Sequence, residues 1–92
     1  MTVRWTPPAL DDLESLHTYI SGDDANAADE TVERVLAGID ALERNPEMGR
    51  VGRVAGTREL VVPPFIVAYK LRRDAVEIVA ILHGARRWPE RF

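Results

Sequence analysis

Six side chains in the second half of this 92-residue chain could bind an anion or move a proton: Arg58, Tyr69, His83, Arg86, Arg87 and Trp88. Arginine grips phosphate or carboxylate through a planar two-point fork, and tryptophan stacks on a base or fills a partner's pocket. RNA cleavage without a metal needs a base for the 2′-hydroxyl, cations for the charge on phosphorus and an acid for the leaving oxygen. Arg58 and Arg86 could supply the cations, and His83 or Glu59 the proton transfer. By strand parity Glu59 lies opposite Arg58, which weakens it as that residue's partner. A plainer reading makes Arg58 half of an ion pair that fixes a strand end. The residues alone leave both readings open.

Other chemistry is excluded. There is no cysteine, so disulfides and thiolate metal sites do not arise, and the two histidines fall in no HxxxH or HExxH spacing. No Ser–His–Asp spacing recommends itself, and no GxGxxG or phosphate-binding lysine motif occurs. No metal and no cofactor is expected. Asp11, Asp12 and Glu14 read as helix-dipole residues rather than an acid–base pair.

These residues must be positioned by elements that the sequence marks plainly. The span Thr57 to Pro89 reads as three antiparallel strands and a basic, aromatic tail. Thr57–Val62 alternates Arg58, Leu60 and Val62 against Thr57, Glu59 and Val61. Pro63-Pro64 marks a turn or bulge. Phe65–Arg72 alternates Phe65, Val67, Tyr69 and Leu71 against Ile66, Ala68, Lys70 and Arg72. Ala75–His83 alternates Val76, Ile78, Ala80 and Leu82 against Glu77, Val79, Ile81 and His83. It is apolar on both faces and therefore central in the sheet. Its second cover is not evident from the chain, and an uncovered apolar face of this kind marks a partner site.

Ahead of these strands, Met1–Trp5 reads as a short strand. Thr6 caps a helix over Pro7–Ser21, with Pro7 and Pro8 in its first turn. Leu10, Leu13, Leu16, His17 and Ile20 form its apolar face, and His17 reads as a structural histidine. A second helix runs from about Asp24–Asn26 to Arg44, with Ala28, Val32, Val35, Leu36, Ile39 and Leu42 as its stripe. Asn45-Pro46 stops it. Residues 46–56, with three glycines, read as a loop carrying solvent-accessible Arg50 and Arg53. The two helices form an antiparallel hairpin that covers the sheet.

The length suits one small domain, residues 1–92. Residues 1–48 carry three basic against eleven acidic side chains, a net of −8, and residues 49–92 carry nine against four, a net of +5. That polarity suggests an acidic partner or substrate for the second half. The N-terminus lacks the basic-then-apolar order of a signal peptide, and no apolar run approaches a membrane span, so a cytoplasmic protein is expected.

TRELVVPPFIVAYKL and ILHGARRWP closely resemble the C-terminal half of the RelE/ParE superfamily of toxins from bacterial toxin–antitoxin modules. WTPPALDDLESLHTYI and LERNPEMGRVGR resemble it too, so the likeness covers nearly the whole chain. It implies an α+β fold, β–α–α–β–β–β, with the helical hairpin on one face of a mainly antiparallel four-stranded sheet. It implies a cognate antitoxin, of the ribbon–helix–helix type with an acidic or amphipathic tail, that wraps the hairpin and sheet groove. Leu13, Leu16, Ile20, Leu36, Val79 and Ile81 would contact it, and DNA would be bound indirectly through it.

The superfamily divides on mechanism. RelE-like members cut mRNA in the ribosome, which here would use Arg58, His83 and Arg86. ParE-like members poison DNA gyrase, with Arg58, Tyr69, Arg86, Arg87 and Trp88 as the target surface. The acidic net charge of −3, the single lysine and Trp88 where a proton-transferring aromatic is wanted favour the ParE-like branch. An inactive member that acts only in an antitoxin-bound, promoter-regulating complex is the third reading.

Overall fold

The computed structural model describes residues 1–92. The elements are β1 (Thr2–Trp5), α1 (Pro7–Ser21), α2 (Ala25–Ala41), β2 (Arg50–Val51), β3 (Arg58–Val62), β4 (Phe65–Leu71) and β5 (Ala75–His83). The sheet order is β1-β5-β4-β3-β2, with β1 parallel to β5 and every other pair antiparallel. The α+β class and the element order are as expected, and β5 is interior. The sheet has five strands rather than four. Part of the expected 46–56 loop is β2, whose Arg50 and Val51 pair with Glu59 and Arg58.

Local chemistry sets the helix ends. The Thr6 hydroxyl accepts from the Ala9 N–H at 3.3 Å and donates to the Ile78 carbonyl at 2.8 Å, which ties the start of α1 to β5. Asp24 caps α2 by accepting from the N–H groups of Asn26 and Ala27. The helix stops at Ala41, short of the expected Arg44. Leu42, Glu43 and Arg44 instead bond three residues back, the tighter 3₁₀ pattern that often closes a helix. His17 Nε2 meets Asp29 Oδ1 at 2.9 Å and links the two helices. No helix is long and apolar enough to cross a membrane.

The hairpin packs on one face of the sheet. Leu16, Val35, Ile39 and Leu42 bury against Val67, Tyr69, Val76, Ile78 and Ile81. Each aliphatic side chain buried there contributes on the order of 1.5–3 kcal/mol. The alternation expected for β3 and β4 holds. That expected for β5 does not. Ala68 pairs with Ala80 while Tyr69 pairs with Ile78, so Val79 has no partner and forms a bulge. One extra residue reverses the parity beyond it. Ile81 therefore joins Val76 and Ile78 in the helix-side core, and Val79, Ala80 and Leu82 cluster with Ala68 on the other face. Trp88 packs on that second cluster, so the chain's own C-terminal tail supplies part of the missing cover.

Candidate functional site

The six residues with reactive side chains do not converge. Arg58 is level with Tyr69 and Ile78 across the sheet, whereas His83 is level with Phe65 and Val62. The two positions are separated by the length of β3, about 13 Å at roughly 3.3 Å per residue step. The expected cluster at one sheet end is thus corrected: Arg58 and Tyr69 lie at one end, His83 lies at the other, and Trp88 lies on the face opposite the helices.

At the first end, Arg58 and Tyr69 bind this chain's own backbone. Arg58 Nη1 donates to the carbonyls of Gly49 at 2.7 Å and Glu47 at 3.2 Å. It fixes the strand end, as the plainer reading held, through carbonyls rather than an ion pair. Tyr69 is fully buried. Its hydroxyl donates to the Pro46 carbonyl at 2.8 Å and accepts from the Gly49 N–H at 2.9 Å. Burial pushes its pKa up, only partly countered by the Gly49 bond and the charge of Arg58. A buried, doubly bonded phenol is not a target-contacting group, so that expectation for Tyr69 is withdrawn. Gly49 is required here, since a Cβ at that position would lie 2.6 Å from the Tyr69 oxygen.

Glu59 is not available as a base. Its side chain is 1% exposed and receives Arg50 Nη2 at 2.9 Å, Arg53 Nε at 3.1 Å and the Arg53 backbone N–H at 2.7 Å. Burial alone would raise the carboxyl pKa, but the bonds from Arg53 and Arg50 outweigh it and leave the group below its ordinary value. Arg50 and Arg53 are partly accessible, as expected, yet both are committed to this buried charge. That pairing was not visible in the sequence, where the three residues lie on separate segments.

At the other end, His83 and Arg86 line a cleft of about 440 Å³ between α1 and the ends of β4 and β5, with Asp12, Leu16, Tyr19, Phe65 and Ile81. His83 is exposed and packs edge-on against Phe65. Its Nδ1 accepts from the Ala85 N–H at 3.1 Å, which assigns the proton of a neutral ring to Nε2. A second groove of about 640 Å³ lies along the tail, lined by Val79, Ala80, Leu82, Arg86, Arg87, Trp88 and Phe92 among others. Arg86, Arg87 and Arg91 are exposed and make no ion pair or side-chain hydrogen bond. The cations of the body are largely engaged: Arg4 and Arg72 on Glu77, Arg50 and Arg53 on Glu59, and Arg34 and Arg58 on carbonyls. No three His, Asp or Glu side chains are grouped to hold a metal.

The expected antitoxin-contact residues are mostly turned inward. Leu16 and Ile81 are buried in the helix-side core, and Leu13 and Ile20 pack at its edge. Val79 lies on the opposite face from Ile81 because of the bulge. Leu36 alone of the six is exposed, at 37%. Leu10, expected on the apolar face of α1, is instead 51% exposed, and Tyr19, which sequence reasoning missed, also faces outward. Tyr19 stands off the helix's apolar stripe, a signal that could have been read.

Residues 3–88 match the family described as the ParE toxin of type II toxin–antitoxin system, parDE. The chain is 42% identical over 90 residues to Y4kP of Sinorhizobium fredii, a protein named as a candidate toxin, covering 96% of this chain and 93% of that one. It is 36% identical over 84 residues to toxin RelE2 of Caulobacter vibrioides, covering 91% and 96%. A solved structure titled the chromosomal ParDE TA system from P. aeruginosa has a similar chain. The TM-score is 0.78 at 24% identity, over 90% of this chain and 95% of that one, a likeness of fold.

Proposed function

Because the chain belongs to the ParE toxin family of type II toxin–antitoxin systems, we propose that it arrests growth by binding DNA gyrase and that a cognate antitoxin neutralises it. The observation that carries the gyrase reading is the division of the arginines. Six of the eight on the body are engaged in ion pairs or carbonyl bonds, while all three on the tail, Arg86, Arg87 and Arg91, are unpaired. A row of free cations beside an anchored indole suits an acidic protein surface or a protein–DNA complex. The wide separation of Arg58 from His83, and the commitment of Glu59 and Tyr69 to structural bonds, support binding rather than strand cleavage.

The antitoxin's amphipathic segment would cover Tyr19 and enter the cleft beside Arg86, with Leu36 and Leu10 contacted elsewhere on the hairpin. The acidic first half of the chain leaves that contact to apolar groups, with the acidic residues of the antitoxin directed to the basic tail. A ribbon–helix–helix domain on the antitoxin would bring the complex to DNA.

Expression of the chain without antitoxin tests the target. The expected result is stalled replication with a DNA-damage response, and inhibition of supercoiling by purified gyrase. Immediate arrest of translation with mRNA cut at the ribosomal A site would instead establish a RelE-like nuclease. That second reading draws on the relative named RelE2 and on His83 and Arg86 sharing one cleft.

A further inference from the structure

The tail is attached to the sheet in an unusual way. Arg86 N–H reaches the His83 carbonyl at 3.0 Å, and beyond it no backbone or side-chain hydrogen bond ties residues 87–92 to the body. Trp88 is the anchor. It rests on the face opposite the helices, against Ala68, Val79, Ala80 and Leu82. Ala68 and Ala80 are direct cross-strand partners, and two small side chains side by side leave room for an indole. The indole N–H is buried and has no hydrogen-bond acceptor, so it adds nothing to the attachment. Phe92 meets the same ring edge-on, with centroids 6.4 Å apart.

The remaining contact is the guanidinium of Arg53, whose Cζ lies 3.9 Å from the centre of the Trp88 ring. That guanidinium is not free to turn. Its Nε and Nη2 bind the two oxygens of Glu59 at 3.1 and 3.2 Å, and the carboxylate is itself almost wholly buried. A planar cation pinned by two bonds presents one fixed surface to the indole.

We infer that Arg53 and Glu59 are positioning residues for the tail: the buried carboxylate of Glu59 sets the plane of the Arg53 guanidinium, Trp88 docks on that plane, and Arg86 and Arg87 are thereby held in a defined place on the surface. The alternative role, merely joining the 50–53 segment to β3, is shared by Arg50. Arg50 binds Glu59 through Nε at 3.1 Å and Nη2 at 2.9 Å, but it does not stack on Trp88. Arg50→Ala is therefore a control for Arg53→Ala, because each leaves the other arginine to neutralise Glu59.

The test uses the full chain with Trp5→Phe, so that Trp88 is the sole tryptophan. Arg53→Ala should shift Trp88 emission to longer wavelength and speed trypsin cleavage after Arg87, while Arg50→Ala leaves both near the parent. Glu59→Gln, which keeps the side-chain volume, should move them in the direction of Arg53→Ala. Unchanged emission and cleavage in Arg53→Ala, or an equal change in Arg50→Ala, would overturn the inference. If Arg53→Ala folds poorly, Glu59→Gln decides by the same criterion. A functional arm rests on the reading of the tail as the gyrase-contacting surface: Arg53→Ala should weaken supercoiling inhibition about tenfold. A released tail with undiminished inhibition would sustain the positioning network and defeat the target reading instead.

Discussion

Asp12 on α1 accepts a 2.9 Å hydrogen bond from the N–H of Ile81 on β5, across 69 residues of sequence. β1 covers the edge of β5 only as far as Ile78, where the Thr6 N–H takes the last carbonyl. Past that point the edge lacks a strand, and the Asp12 carboxylate takes the place of one backbone acceptor. Its role is thus a strut between helix and sheet rather than a dipole charge.

Asp12→Ala should lower unfolding free energy by about 1.5–3 kcal/mol, the range for a hydrogen bond to a charged group. Asp12→Asn keeps an oxygen acceptor and should cost less. Urea denaturation of both variants measures the difference. Equal losses would mean that the charge, and not the acceptor, matters at this place.

Tyr69→Phe removes the hydroxyl that joins Pro46 and Gly49 and leaves the buried Gly49 N–H without its partner. A loss of about 1–3 kcal/mol is expected. Gyrase inhibition per folded molecule should be unchanged. A selective loss of inhibition at full stability would restore Tyr69 to the target surface.

Glu59 gives the fold a defined acid sensitivity. Its pKa is lower folded than unfolded, where it takes the ordinary value of 4.5. The unfolded state therefore binds the proton first, and the stabilisation is fully present above that value. It is lost as pH falls through the depressed folded value. Glu77, held down mainly by Arg4 and then by Arg72, acts in the same direction. The stability gap between the parent and Glu59→Gln should be widest near neutral pH and shrink on acidification below about pH 4.5. A gap independent of pH from 7 to 3 would show that the charge contributes nothing.

Arg58 and Arg86 should separate stability from target binding. Arg58→Ala frees the carbonyls of Glu47 and Gly49 and should lower the melting temperature by about 4–8 °C for each kcal/mol lost. Arg86→Ala and Arg87→Ala, at exposed and unpaired positions, should leave melting within a degree or two and reduce gyrase inhibition. Differential scanning fluorimetry beside a supercoiling assay reads both. Arg58→Ala abolishing mRNA cleavage would support the nuclease.

The sequence by itself determined every element but β2, their order and the two alternating faces of β3 and β4. Thr6 before Pro7-Pro8, Gly22 with two aspartates and Pro46 after Asn45 act through local backbone chemistry. The three- and four-residue apolar steps of α1 and α2 and the alternation of β3 and β4 report burial directly. Chain order and motif spacing also carried the family. Only the tertiary structure decided what Arg53, Glu59, Tyr69 and Trp88 do, because ion pairs and stacking between distant segments leave no periodic trace. It also decided the faces of Val79 and Ile81. Period-two parity is reliable only along an unbroken ladder, and the bulge at Val79 inserts one residue that no composition announces. The tail read as a basic end awaiting a partner is already docked, because Ala68 and Ala80 come side by side only when β4 and β5 pair.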